Sequence, residues 1–403
     1  MENYPNNPNN NFNNPQYPYQ GYNTPNNTTQ YNNRPYNAPS VIYQNTYNSN
    51  GSAPQYHYGN PMPPIIDEEY YREQQRRFQM RRKEEKDIKR TGNLLGISLL
   101  LCLGMVFVFS LVVLFGPDAF SMGANFSTDA LINIFYSVLV VGFTYFAFSL
   151  IVKKVKNPTT KMREYKLAIK YNPPKNVKKA ILLIIIAFGG CMVANYATAI
   201  ILTFMQAFGF DSGYSSVQNP STITDVITMF IATAVIPPLI EEYAMRGVVL
   251  SSLTKHSKAL AILGSAYIFG IFHGNFTQIP FAFLCGLIFA YITIATNSIW
   301  PAVIVHALNN SLSCIDSVIS MYFDTDISNA FYYISSFGGI ILGAIALVIY
   351  LKLYKKEDSA IFKEKNTLLS TKEKFAKFVS SPAMIIATVA FFIQAVTTAV
   401  AAS

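Results

Sequence analysis

The residues of this chain that are best suited to chemistry are a few acidic, imidazole and amide side chains inside long apolar runs. Two adjacent glutamates, Glu241 and Glu242, are followed at four-residue spacing by Arg246, and two of the four histidines, His273 and His306, also lie in apolar runs. An ionisable side chain in hydrocarbon costs several kcal/mol, so such residues usually face a cavity and act there. The set predicts a polar site inside a membrane.

The spacing of the first group gives its two glutamates different tasks. Glu242 and Arg246 are four residues apart, so on a helix they share a face and can form an ion pair. Glu241 is rotated from Glu242 by about 100°, which leaves its carboxylate free to accept a proton. Pro237 and Pro238 should break or kink the helix just ahead, because proline lacks the N–H donor and clashes with the preceding turn.

The other two groups also follow helical spacing. Phe269 and His273 are four residues apart, and so are His306 and Asn310. Taken singly, a histidine or asparagine in a membrane helix is typical of an interhelical hydrogen bond, and Phe269 is typical of core packing. A free glutamate, two histidines and an asparagine on neighbouring helices favour one shared site.

Membrane helices must position these residues. Of the 403 residues, 51% are hydrophobic and 13% are charged, whereas a soluble protein carries about 25% charged residues. The mean hydropathy is +0.24. The apolar runs have the length that a hydrocarbon core of ~30 Å demands of a helix. The sequence predicts an all-α, polytopic bundle of about eight to nine transmembrane helices, with these nine spans: Leu94–Phe115, Leu131–Val152, Ala180–Phe208, Val226–Leu250, Leu260–Phe272, Phe281–Ala295, Trp300–Ser313, Tyr332–Leu351 and Pro382–Ala402.

Composition divides the chain into five parts. Residues 1–65, rich in Asn, Tyr and Pro, are predicted to be a disordered cytoplasmic tail, and residues 66–92 a charged juxtamembrane helix that touches anionic headgroups. Residues 93–179 hold the first two spans and a basic cytoplasmic loop. Residues 180–315 form the membrane core with the candidate site, and residues 316–403 hold the C-terminal spans and a second basic loop.

The distribution of charge predicts the orientation. The net charge is +9, and the Lys and Arg residues cluster beside apolar runs, which indicates membrane topology rather than nucleic-acid binding. Where the loops are charged, those after even-numbered spans are basic and those after odd-numbered spans are acidic, so a multi-pass protein of the cell membrane with a cytoplasmic N-terminus is predicted. The last span, Pro382–Ala402, is Ala/Thr-rich and either crosses or lies in the interface. The four cysteines have no metal or disulfide spacing and are assigned to the core.

The motifs resemble those of a known family, the CPBP family of CAAX-processing endopeptidases and bacteriocin-processing enzymes, also called ABI proteins. The resemblance covers about Ala180 to Ser313, a third of the chain. The matching residues, in the order of the family's three motifs, are Glu241-Glu242…Arg246, Phe269…His273 and His306…Asn310.

The resemblance implies an intramembrane endopeptidase. In it Glu241 would be the base that activates water, His273 would help to orient that water, and His306 and Asn310 would bind the oxyanion. The same resemblance implies structural support from Glu242, Arg246 and Phe269. The implied partners are the lipid bilayer and a peptide or protein substrate that enters from the membrane, either CAAX-type or a maturing peptide.

Two alternatives stay open at this level. Glu241, His273 and His306 are plausible zinc ligands with water in the open position, although the compact His-Glu-x-x-His signature is absent, so the cofactor is either none or zinc. A non-catalytic bacteriocin immunity protein or membrane scaffold would keep the same fold. A transporter with a proton relay is less favoured, because no inverted repeat is visible.

Overall fold

The fold is built from helices alone in the part of the chain that the structure describes, which confirms the predicted all-α class. The structure is a computed structural model that describes residues 68–115, 126–155, 171–207, 220, 222–359 and 368–402. The predicted disordered tail, residues 1–65, lies outside the described residues. In chain order the helices are α1 (Glu68–Phe115), α2 (126–154), α3 (Val177–Ala207), α4 (Ile223–Leu253), α5 (Lys258–Phe272), α6 (Ile279–Thr296), α7 (Trp300–Tyr322), α8 (Thr325–Asp358), α9 (Thr371–Val379) and α10 (Pro382–Ala402).

Eight of the described helices are long and apolar enough to cross a membrane. Helix α5 is apolar too, but its 15 residues span only about 22 Å, which is shorter than a hydrocarbon core. It corresponds to the short fifth predicted span. Helix α10 is among the eight, with a mean hydropathy of 2.1 over its apolar window. The multi-pass membrane architecture is therefore confirmed.

Helix α1 joins two elements that the sequence analysis separates. The predicted juxtamembrane helix and the first predicted span form one unbroken helix of 48 residues. No proline interrupts residues 68–115, and the glycines at 92 and 96 lie against the start of α10. A side chain at Gly96 would collide with Ala383 and Met384 of α10, and one at Gly92 with Phe378 of α9 and with Ser381, so these two positions allow α1 to approach both helices closely.

Helices α3 and α8 cross at glycines. A Cβ atom placed on Gly189 of α3 would lie 2.6 Å from the carbonyl oxygen of Gly339 and 3.0 Å from Cα of Gly343 on α8. Gly339 and Gly343 are four residues apart and share a face of α8. This small-residue pattern lets two membrane helices pack backbone to backbone.

Helices α5 and α6 form a hairpin that carries part of the candidate site. Gly286 of α6 lies against Ala266 of α5, where an added Cβ would be 2.9 Å from Ala266 Cα. Gly270 of α5 lies against Phe283, at 3.1 Å for the equivalent Cβ. The close approach brings the backbone of α6 to the face of α5 that carries Phe269.

Ion pairs join the short helix α9 to the charged half of α1. Lys377 of α9 lies 3.1 Å from Glu85 of α1. Lys374 is fully buried and its Nζ lies 3.7 Å from Glu84. The same Nζ donates a hydrogen bond of 3.2 Å to the carbonyl of His256, in the loop between α4 and α5. These contacts join α1, α9 and that loop at one end of the bundle.

Candidate active site

Helix α4 carries the glutamates and is irregular on both sides of them. Its backbone is π-helical over Phe230–Val235 and again over Tyr243–Leu250. Between these segments the chain passes Pro237 and Pro238 and then presents the two glutamates at the end of one regular stretch, Ile236–Glu242. The predicted distortion at the prolines is present, as a change of helix type rather than a break.

The proline pair leaves one carbonyl group without a helical donor. The oxygen of Thr233 would accept from residue 237 in an α-helix and from residue 238 in a π-helix, and both are prolines without an N–H. The Nδ2 atom of Asn310, on α7, donates a hydrogen bond of 2.9 Å to this oxygen. Asn310 thereby ties α7 to the turn of α4 just before the glutamates, with one of its two amide N–H groups.

Glu242 is fully buried and holds two partners. Its Oε1 accepts a hydrogen bond of 3.0 Å from Nη1 of Arg246, the residue one helical turn later. The same oxygen lies 3.0 Å from Nδ1 of His306 on α7. Because a carboxylate can only accept, Nδ1 of His306 carries a proton and Nε2 points to the other side of the ring. The Oε2 atom of Glu242 has no hydrogen-bond partner among the described residues.

Arg246 is held by more than its ion pair. Its Nη2 donates a hydrogen bond of 3.3 Å to the carbonyl of Gly286 on α6. The guanidinium carbon lies 4.6 Å from the ring centre of Phe269 and 5.2 Å from that of Phe289. A buried guanidinium is retained only where acceptors and aromatic faces replace its hydration. Arg246 therefore fixes α4 against α5 and α6.

Glu241 differs from its neighbour in exposure and in partners. Its side chain is 16% exposed, whereas that of Glu242 is not exposed at all. One of its oxygens, Oε2, lies 4.0 Å from Nε2 of His306. The two glutamates thus meet opposite edges of one imidazole, Glu242 at Nδ1 and Glu241 near Nε2. The carboxylate of Glu241 remains available to a water molecule or a substrate.

His273 is the C-cap residue of α5, and a backbone carbonyl of the same helix orients its imidazole. Its Nδ1 lies 2.8 Å from the carbonyl oxygen of Phe269, one turn earlier. A carbonyl only accepts, so Nδ1 carries the proton and Nε2 of the neutral ring is a lone-pair acceptor.

Phe269 lies at the centre of the cluster. Its ring centre is 4.9 Å from that of His273 and 5.9 Å from that of His306, both edge to face. It also packs against Arg246, as described above. The sequence analysis assigned Phe269 to support, and in the structure it separates the two imidazoles and touches both.

All seven predicted residues therefore lie in one region where α4, α5 and α7 meet. Sequence reasoning missed three further contributors: Phe289, whose ring lies 5.5 Å from that of His306; the Gly286 carbonyl; and the Thr233 carbonyl. Only Thr233 carried a readable signal, since it precedes the proline pair by four and five residues. The other two depend on the crossing of α5 and α6.

The same residues do not form a metal site in the described part of the chain. Both imidazoles have Nδ1 occupied by an acceptor, which is the arrangement that leaves Nε2 free for a metal. However, in the part of the chain that the structure describes, no three His, Cys, Asp or Glu side chains are grouped so that they could hold one ion. Glu241, His273 and His306 are therefore not grouped as zinc ligands.

Comparisons with known proteins match the part of the chain that contains the three motifs. Residues 223–312, which contain all three motifs, match the family described as type II CAAX prenyl endopeptidase Rce1-like. The chain is 29% identical over 179 residues to the membrane-embedded CAAX protease MroQ of Staphylococcus aureus (strain USA300), over 42% of this chain and 68% of that protein. No solved structure matches the chain. These findings support an intramembrane protease.

Proposed function

We propose, from the premise that this chain is a member of the CPBP family, that it is an endopeptidase that hydrolyses a peptide bond near the membrane surface with Glu241 as the general base. The observation that carries the proposal is the unequal state of the two glutamates. Glu242 is buried and holds Arg246 and His306, whereas Glu241 is partly exposed beside His306. A base must have room for the water that it activates.

In the first step Glu241 takes a proton from a water molecule while the water oxygen attacks the carbonyl carbon of the substrate. The C–O bond forms, and the electron pair of the carbonyl moves to its oxygen. The Nε2 atom of His273 accepts the second hydrogen of the water in a hydrogen bond, which orients the attack. In the second step the proton on Glu241 passes to the leaving amine as the C–N bond breaks.

The oxyanion is held from α7. With Nδ1 held by Glu242, the Nε2 edge of His306 lies beside Glu241, where an N–H at Nε2 would donate to the oxyanion. Asn310 contributes its second amide N–H, because the first is used by Thr233. Donors held in place before the reaction stabilise the developing charge most strongly.

The substrate class that we propose is a peptide or protein segment that enters from the bilayer. Two candidate substrates follow from the family. One is a C-terminal CAAX segment, since the relative in Staphylococcus aureus is named a CAAX protease, and the other is a maturing bacteriocin-like peptide. Both would place the scissile bond beside His273, at the end of α5, and beside His306 and Asn310 of α7.

We also propose that the N-terminus is cytoplasmic. Among the described residues, lysines lie at the end of α2, at the start of α3, in the loop before α5 and at the end of α8. The positive-inside rule assigns all four of these places to the cytoplasmic side. The contacts of α9 join the charged half of α1 to one of these basic elements, the loop before α5. Cysteine labelling from outside intact cells would contradict this if Lys255→Cys reacted before Asp324→Cys.

The experiment that tests the function is cleavage of an internally quenched peptide library in proteoliposomes, with prenylated CAAX peptides as one arm and unmodified peptides as the other. Glu241→Gln and His273→Ala are expected to lower the rate by about a hundredfold or more. Glu73→Gln, an exposed carboxylate on α1 that pairs only with Arg77 in the described contacts, is the matched control. Equal rates for wild type and Glu241→Gln would overturn the proposal and favour the immunity or scaffold function.

A further inference from the structure

The last helix, α10, contributes a polar group beside the candidate site, although it lies outside the matched segment 223–312. Its sequence is apolar apart from three threonines and one glutamine, Gln394. A polar side chain within an apolar membrane helix usually hydrogen-bonds to a neighbouring helix. The Oε1 atom of Gln394 is buried and has no hydrogen-bond partner among the residues that the structure describes. Its presence therefore has no explanation in the packing of the described residues.

Helix α10 runs parallel to α5, and successive turns of the two helices meet in order. Thr388 shares a hydrogen bond of 2.7 Å with Tyr267. One turn later the ring centre of Phe391 lies 6.3 Å from that of Phe272. The next turn of α10 presents Gln394 to the residue that follows His273.

That residue is Gly274, and Gln394 packs directly on its backbone. A Cβ atom placed on Gly274 would lie 2.8 Å from Cδ of Gln394 and 2.9 Å from each of its two amide atoms. Gly274 also has a φ of +60°, which L side chains rarely adopt. The absence of a side chain at this position is what allows the amide to reach the turn beside His273.

We propose that Gln394 is a substrate-binding residue of the same site: its side-chain amide hydrogen-bonds to the main chain of the peptide substrate where this passes the His273–Gly274 turn, with Oε1 accepting an N–H of the peptide. The inference rests on the proposed endopeptidase function. A buried acceptor without a donor costs about 1–3 kcal/mol, and a bound peptide supplies the missing donor. The last torsion of glutamine is broad, so the amide can turn toward the peptide.

The probe for this inference is the peptide that wild type cleaves fastest in the library, with a set of analogues that each carry one N-methylated amide. Gln394→Met keeps the length of the side chain and removes both polar atoms. It is expected to raise KM by about fivefold to tenfold, the equivalent of one hydrogen bond, with kcat within about twofold of wild type. Gln394→Glu retains an acceptor and is expected to keep KM within about threefold.

The decisive measurement is the coupling between the variant and the probe. One N-methyl analogue is expected to raise KM for wild type and to have no further effect in Gln394→Met, because both changes remove the same hydrogen bond. Thr388→Val, which loosens the contact of α10 with α5 two turns away, is the structural control, and every analogue should affect it as it affects wild type.

Two results would overturn the inference: a wild-type KM in Gln394→Met, or additive effects for every analogue. A variant that lowers kcat together with the melting temperature, as a merely structural residue would, counts against it equally. If Glu241→Gln is inactive while Gln394→Met behaves as wild type, only this inference fails. If Glu241→Gln is active, the proposed function itself fails.

Discussion

The Nδ1 atom of His306 lies 3.0 Å from Oε1 of Glu242, so the second glutamate of the pair serves the histidine of a different helix as well as its own arginine. A carboxylate that fixes one ring nitrogen of a histidine determines which nitrogen is left for chemistry. Glu242 therefore has two effects that can be measured separately. Its ion pair with Arg246 stabilises the fold, and its contact with Nδ1 orients His306.

The first prediction concerns the buried ion pair. Glu242→Gln should lower the free energy of unfolding by about 3–5 kcal/mol, because it leaves the Arg246 guanidinium buried without a counter-charge. The double variant Glu242→Leu/Arg246→Met should recover most of this loss, since apolar side chains of similar volume can replace a buried pair. Denaturation in detergent micelles measures both.

Peptide cleavage distinguishes the two effects. The double variant should remain at least about a hundredfold slower than wild type, because His306 has lost the acceptor at Nδ1. A double variant that is stable and fully active would contradict the role that we assign to Glu242 in orienting His306.

The second prediction concerns Asn310 and the carbonyl of Thr233. Asn310→Ala should cost about 1–3 kcal/mol of stability, because it leaves a buried carbonyl without a donor. In a Pro237→Ala background the new backbone N–H can donate to the same oxygen, so the cost of Asn310→Ala should fall below about 1 kcal/mol. A double-mutant cycle on thermal unfolding measures the difference.

The matched control for this cycle is Asn309→Ala. Asn309 is the neighbouring asparagine, and its Nδ2 lies 3.4 Å from Oδ1 of Asn310 rather than on the carbonyl. Its effect should be the same with and without Pro237. Additive effects of Asn310→Ala and Pro237→Ala would show that the proline pair does not create the need for Asn310.

The third prediction concerns pH and the loop between α4 and α5. Burial, reinforced by Lys255 and Lys374, lowers the pKa of His256 to about 3. In the unfolded chain the pKa is about 6.5, so as the pH falls from 6.5 to 3 the unfolded chain binds a proton that the folded protein does not. Stability is complete above pH 6.5 and declines below it, by about 2 kcal/mol between pH 7 and pH 5.

His256→Gln removes this titration while keeping a polar partner for Thr91, whose Oγ1 lies 2.8 Å from the ring. The variant should lose about 2 kcal/mol less than wild type between pH 7 and pH 5, because all other groups titrate alike in both proteins. Equal losses in the two proteins, measured by urea unfolding in micelles, would refute the assignment.

The fourth prediction concerns the glycine crossing of α3 and α8. Gly343→Leu should force the two helices apart, since an added Cβ already lies 3.0 Å from Cα of Gly189. We expect a loss of about 2 kcal/mol or more. Gly338→Ala, on the same helix, meets nothing within 4 Å and should be neutral or stabilise α8 by up to about 1 kcal/mol. Similar melting temperatures for the two variants would contradict the crossing.

The sequence by itself determined the class of the protein and the identity of the candidate residues. Long apolar runs exclude a soluble globule, because helices of that length and composition are stable in a bilayer. Ionisable residues in such runs have a high free energy in hydrocarbon, so they usually face a cavity and have a function there. The predicted helical membrane fold was confirmed, and the resemblance to the CPBP family is supported by the match of residues 223–312 to the type II CAAX prenyl endopeptidase Rce1-like family. The division of labour between Glu241 and Glu242, which follows from a rotation of about 100° per residue in an α-helix, stays a prediction; their side chains are 16% and 0% exposed.

The tertiary structure alone decided which groups complete the site. The carbonyl of Gly286 reaches Arg246 because α5 and α6 cross at small residues, and Gln394 reaches the turn after His273 because α10 lies parallel to α5. Periodicity reports the face of a single helix on which a residue lies. It carries no information about which faces of different helices meet, since that depends on packing between residues far apart in the chain.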